Sequence, residues 1–140
     1  MGAQALGLTL REVQLPTDDV ARTLEEVRRW RPDGLYVLAA ISAGHLTAIL
    51  KFAVQHRLPA IFPIRGPVEA GGLMAYAPSA LEAAQRTAYY VDRILKGARP
   101  ADLPVEQPQK YDLVINLKTA KTIGLTVPQS ILLRADALIE

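Results

Sequence analysis

The 140-residue chain has no cysteine, which excludes a disulfide framework, a thiolate nucleophile and any cysteine-ligated metal. It has two histidines, His45 and His56. They fall on one expected helix at a separation of about 16 Å, so they do not share a metal ion, and neither has a serine or carboxylate at catalytic spacing nearby. Charge of one sign is also missing. Sixteen Lys and Arg stand against fourteen Asp and Glu, a formal net charge of +2, too little for an electrostatic footprint on nucleic acid. The longest apolar run, Leu35 to Ile41, is far too short to span a membrane. Met1 to Leu10 lacks the basic start, apolar stretch and small-residue cleavage site of a signal peptide. The Lys and Ser or Thr of a phosphate loop do not accompany Gly66, Gly71 and Gly72, and the dinucleotide glycine spacing is absent too. These glycines read as turn formers, with close loop contact to a ligand as the lesser alternative.

What is present is the composition and length of one folded domain: half of the residues are apolar and 21% are charged, enough to bury a real core. Strands and helices alternate along it. Ala3 to Gly7 reads as the last turn of a helix with its glycine stop, and Leu8 to Val13 as a strand. Because a helix of one turn is not worth forming alone, the expectation is that its upstream part is missing. Thr17 is expected to cap a helix from Asp18 to Arg31, with Val20, Leu24 and Val27 on the buried face and Arg28, Arg29 and Arg31 complementing the dipole while Trp30 packs inward. Asp18 with Asp19 and Glu25 with Glu26 read as solvated faces, since neighbours on a helix diverge.

Leu35 to Ala40 is continuously apolar, as a strand covered on both faces would be. Ser42 then opens a helix to Arg57, followed by a strand at Ala60 to Phe62, a loop or short helix over Pro63 to Gly72, and a strand at Leu73 to Tyr76. Ser79 and Glu82 have the spacing of a capping box for a helix with Leu81, Ala84, Ala88, Val91 and Leu95 on one face, ending at Gly97. Pro100, Pro104 and Pro108 keep the next stretch out of helix. Tyr111 to Leu117 alternates like a strand with one wet face. Asn116 is placed to cap a short helix ending at Gly124, and Pro128 to open a last one containing Ile131, Leu132, Leu133 and Leu138.

This alternation specifies an α/β fold, a doubly wound parallel sheet. Ligands of such sheets sit at the carboxyl ends of strands, which directs attention to Ala40 to Ser42, Pro63 to Arg65 and Tyr76 to Ser79. Arg65, just past a strand end, suits bidentate capture of a carboxylate or equally a surface ion pair. Tyr76 suits a hydroxyl contact, a stacking face or a cap on the core. Ser42, at a helix start, offers a hydroxyl and a backbone amide to an anionic group.

Three stretches carry a resemblance beyond this: RPDGLYVL (Arg31 to Leu38), HRLPAIFPIRGPVEAGGLMAYAPS (His56 to Ser79) and YVDRILKGARPADLPVEQPQKYDLVINLKTAKTIGLTVPQSIL (Tyr90 to Leu132). Together they resemble the ABC transporter substrate-binding proteins of the type I periplasmic-binding-protein fold. The resemblance implies a two-lobed receptor of about twice this length, without catalytic activity or cofactor, periplasmic or extracytoplasmic and membrane-associated, that delivers a small solute such as an amino acid to ABC permease subunits. This chain would then be the carboxyl-terminal part: 1–76 and 109–140 as the core of the second lobe, and 77–108 as a crossover helix belonging to the first lobe with its hinge segments at Ala77, Pro78, Pro104 and Pro108. The apolar stripe of that helix is expected to be exposed and to drive self-association or helix exchange. Phe62, Pro63 and Arg65 match the family's pattern. Gly66 and Pro67 replace the acidic and aromatic residues that commonly follow, and Tyr76, Ala77 and Pro78 stand where Tyr-Gly-Pro is usual. A solute site at Ser42, Arg65 and Tyr76 that binds weakly or not at all in this chain is the resulting expectation, with no metal site. The alternative is an effector-binding sensory or regulatory domain of the same fold.

Overall fold

A computed structural model of the chain describes residues 2–15, 19–38 and 43–140. Its strands are β1 (Leu35–Tyr36), β2 (Ala60–Phe62), β3 (Met74–Pro78), β4 (Tyr111–Asn116) and β5 (Ala137–Ile139). Its helices are α1 (Gly2–Ala5), α2 (Val20–Arg29), α3 (Ala43–Gln55), α4 (Gly66–Glu69), α5 (Ala80–Leu95), α6 (Leu117–Ile123) and α7 (Gln129–Leu132). The five strands form one sheet in the order β1-β2-β3-β4-β5. The pairings β1 to β2, β2 to β3 and β4 to β5 are parallel, as expected, and β3 to β4 is antiparallel. The reason lies in the connection. After β3 the chain runs out through α5 and returns at the edge it left, with the Ser79 N–H donating to Lys110 O at 2.9 Å. A strand that restarts at the same edge has to run back along its neighbour.

Alternation along the strands sorts the sheet into two faces. On one, Ala60, Phe62, Ala75 and Val114 join Leu24 and Val27 of α2, Ile49, Phe52 and Ala53 of α3 and Val68 of α4 in the main core. Phe62 and Val68 are its largest fully buried side chains. The register aligns Tyr36, Ile61, Met74, Ile115 and Leu138 across the other face. Ile115 is buried there, whereas Tyr36 and Leu138 are exposed, at 66% and 42%.

Several local expectations change. Leu8 to Val13 pairs with no described strand and is irregular, with Val13 and Leu15 packed against the core and Leu8 and Leu10 exposed; an alternating pattern becomes a strand only where a neighbour completes its hydrogen bonds. β1 is shorter than Leu35 to Ala40, and Leu38 is exposed, because β1 is an edge strand of the described sheet with one face bare. Thr17 lies outside the described residues, and Asp19 caps α2 by accepting from Arg22 N–H at 3.2 Å. The capping box at Ser79 does not form: Ser79 makes no side-chain cap, and Glu82 instead accepts from Lys110 N–H at 2.9 Å. α7 stops at Leu132, and Leu138 belongs to β5. Two expected features stand as read. Asn116 caps α6 and Gly124 ends it at φ 77°, and α1 ends through Gly7 at φ 68°, the left-handed conformation that glycine adopts without strain.

Candidate functional site

Of the expected ligand groups, Arg65 follows β2 and Tyr76 lies within β3, two residues before its end. Ser42 lies outside the described residues. Arg65 follows β2 and occupies the N-cap position of α4. Its Nε donates to Glu69 Oε1 at 2.7 Å, with both side chains more than half exposed. The surface ion pair is thus the arrangement present, and a ligand carboxylate at Arg65 would compete with Glu69. Such an exposed pair is worth under about 1 kcal/mol, so the competition costs little.

Tyr76 projects from the exposed face of β3 and stacks on Tyr111 of β4, ring centroids 5.3 Å apart at 21°. The pairing is diagonal, since Tyr111 lies opposite Pro78 and Leu113 opposite Tyr76. The two rings, 58% and 42% exposed, present one aromatic surface with two hydroxyls, suited to a planar or apolar group. Sequence reasoning missed Tyr111 as a site residue. Its signal was only that of a strand start, and the contact depends on a cross-strand register that no local pattern reveals.

The expected hinge residues come together. Ala77 and Pro78 are the last residues of β3, one residue pair beyond the expected strand end, paired with Asp112 and Tyr111. Pro104 and Pro108 lie on a strap, residues 103 to 110, that returns along α5. Pro78, Pro104 and Pro108 line a groove of about 570 Å³ between α5 and the strap. Three polar contacts close it: Lys110 N–H to Glu82, a bidentate ion pair of Arg86 with Glu106, and Tyr90 Oη–H to Pro104 O at 2.6 Å. The Glu106 hydrogen bonds push the already high Arg86 pKa further up.

Chemistry elsewhere is sparse. His56 packs its ring on Phe52, centroids 4.6 Å apart. Glu25 accepts from Arg28 Nε and Nη2 at 2.7 and 2.6 Å, which holds its carboxyl below the ordinary value. Trp30 is partly buried on the core, with the Arg11 guanidinium 3.5 Å from its ring centroid, so the arginine-rich end of α2 is bound to its own helix and neighbours. Among the described residues no three His, Asp or Glu side chains group as metal ligands. Nor is any helix among them long and apolar enough to cross a membrane.

The profile of the family described as "ABC transporter substrate binding protein" matches residues 2–139. The chain belongs to the ABC transporter substrate-binding protein family. A conserved domain protein from Vibrio cholerae is similar at 28% identity and a TM-score of 0.84, over 97% of this chain and 46% of that one. The ABC domain in complex with L-Trp from Streptococcus pneumonia has the same identity and TM-score, over 98% of this chain and 48% of that one. The ligand-free, open structure of a substrate-binding protein with adhesive properties from Clostridium difficile shares the fold at 23% identity and a TM-score of 0.71, again over 98% of this chain and 46% of that one. No curated protein matches the chain. The chain spans about half the length of these solved relatives.

Proposed function

We propose that this chain is the carboxyl-terminal lobe of the solute-binding component of an ABC importer. In this reading 1–76 and 109–140 form the lobe core, and 77–108 the crossover helix and hinge segments at Ala77, Pro78, Pro104 and Pro108. The solute is small and amino-acid-like, and it lies against the carboxyl edge of β1 to β3. Arg65 exchanges Glu69 for the solute carboxylate, Tyr76 with Tyr111 offers the aromatic surface, and Ser42 supplies a hydroxyl. The whole receptor works outside the cytoplasm, associated with the membrane, and hands its solute to permease subunits.

The observation that carries this is the family match over residues 2–139 together with 28% identity to a domain described in complex with L-Trp. One lobe supplies one wall of a cleft, and affinity in a hinged receptor comes from closing two walls on the ligand. The chain by itself is therefore expected to bind amino acids weakly or not at all. Titration calorimetry with L-Trp and a panel of amino acids checks this, and micromolar affinity (about −8 kcal/mol) would overturn the one-wall reading. If a longer form that includes the second lobe also bound no amino acid, the choice of solute would fall.

A further inference from the structure

The β3–β4 ladder runs one rung past the end of β3, and that rung is completed by a side chain. Ser79 N–H donates to Lys110 O at 2.9 Å, which makes Ser79 and Lys110 a hydrogen-bonded antiparallel pair, and such a pair ordinarily exchanges two bonds. The return bond goes elsewhere. Ser79 O accepts from Ala83 N–H at 3.0 Å, the first bond of α5, and Glu82, within the first turn of that helix, reaches back to accept from Lys110 N–H through Oε2 at 2.9 Å. The carboxylate thus stands in for the backbone acceptor that the helix start has turned away. The next pair inward is Pro78 with Tyr111. Bonded and non-bonded pairs alternate along an antiparallel ladder, so this pair exchanges no bond, and Pro78 has no N–H to offer. Tyr111 is therefore held to β3 by the rungs on either side of it, Ala77 with Asp112 and Ser79 with Lys110. Its ring reaches diagonally to Tyr76, 5.3 Å between centroids, the reach expected of aromatic side chains across a strand pair.

We propose that Glu82 is a positioning residue for the aromatic surface of Tyr76 and Tyr111, acting through the Lys110 N–H. This rests on the reading above, in which that surface meets the solute and α5 belongs to the other lobe. Of the two rungs that hold Tyr111, the outer one is half side chain, so its strength depends on where α5 sits. Without the Glu82 bond, Lys110 keeps only its bond from Ser79. The ladder then frays from its open end, and the first residue the fraying reaches is Tyr111. The contacts of α5 with the strap are not equivalent in this respect. Arg86 and Tyr90 hold Glu106 and Pro104, farther along the strap, whereas Glu82 holds the residue directly before Tyr111. Glu82 is thus the contact through which the placement of α5 reaches the ring. A shift of the helix moves the Tyr111 ring against Tyr76 and changes the face offered to the solute. The role calls for an acceptor oxygen at that reach, which an amide supplies as well as a carboxylate.

Tyrosine ring signals in NMR spectra of this chain, assigned with Tyr76→Phe and Tyr111→Phe, test the proposal. Glu82→Ala is expected to lose the mutual ring-current shifts of Tyr76 and Tyr111 and to speed Lys110 amide exchange about tenfold, while the amides of Phe62 and Asn116 stay as protected as before. Glu82→Gln, which keeps the acceptor, is expected to restore both. Ring signals unmoved by Glu82→Ala would overturn the proposal, as would Glu82→Gln behaving like Glu82→Ala. So would a Glu82→Ala change spread equally over the core, which is the mark of a role in stability alone. In a longer form that includes the other lobe, titration calorimetry is expected to show L-Trp binding weakened about tenfold by Glu82→Ala and spared by Glu82→Gln; equal affinity in all three would separate Glu82 from the solute and overturn its role there. If the unaltered longer form bound no amino acid while the rings still moved in this chain, the solute reading would fall and the positioning of the rings by Glu82 would stand.

Discussion

Asn116 ties three segments together at the end of β4. Its Oδ1 accepts from Thr119 N–H at 3.0 Å, capping α6, and its Nδ2 donates to Val68 O of α4 at 3.0 Å, all with 4% of the residue exposed. Asn116→Ala removes a helix cap and leaves a buried carbonyl without its donor, an expected loss of about 2 to 4 kcal/mol measurable by urea unfolding. The cap was legible in the sequence because capping is local; the second bond joins residues 48 apart and was not. Gly72 makes a similar point. An added Cβ there would meet Phe62 Cε2 at 2.6 Å and Pro67 O at 2.9 Å, and Phe62 is buried with no room to withdraw. Gly72→Ala is expected to cost about 1 to 3 kcal/mol by overpacking, whereas Gly44→Ala, which meets nothing within 4 Å in the first turn of α3, is expected to be neutral or stabilising by up to about 1 kcal/mol.

Among the elements, α5 and the strap behave as one arm. Its length and amphipathic stripe were readable from spacing, and it runs from Ala80 to Leu95 between the expected start at Ser79 and stop at Gly97. That the stripe would face outward was not readable from spacing; it followed only from the resemblance, and Leu81, Val91 and Leu95 are exposed as expected. An apolar stripe ordinarily turns toward the core, but Glu82, Arg86 and Tyr90 find partners in the strap that the stripe does not find anywhere on the described sheet. Arg86→Ala is expected to release residues 103 to 109 while leaving the sheet intact, seen as faster proteolysis and amide exchange confined to the strap. Unchanged protection there would show that the proline-rich backbone and the Tyr90 and Glu82 contacts suffice. The partners of Glu82 also explain why its capping-box spacing misled: a carboxylate accepts whichever donor the fold brings close, and the strap brings Lys110 N–H.

At the scale of the whole molecule the sheet has unequal faces, and mutations should sort by face. Phe62→Ala on the helix-covered side, with 1% of the residue exposed, is expected to cost about 3 to 5 kcal/mol, a large part of the stability of about 5 to 15 kcal/mol usual for a domain. Tyr36→Ser on the bare side, 66% exposed, is expected to change it by less than about 0.5 kcal/mol, and chemical unfolding of the two variants distinguishes them. Much of this architecture was written locally: the alternation of helix and strand, the caps at Asn116 and Gly124, the glycine stop at Gly7 and the apolar stripe of α5 each depend on residues within a turn or two of one another. The carboxyl edge of the strands followed from that alternation, and so did the expectation that Arg65 and Tyr76 lie near it. Tertiary structure alone decided that β4 runs against β3, that Leu8 to Val13 has no partner among the described strands, that Arg65 is occupied by Glu69 and that Tyr76 is one half of a pair with Tyr111. Local pattern specifies which groups want burial, a cap or a partner, while the identity of the partner depends on contacts between distant residues, and those exist only once the chain has closed on itself.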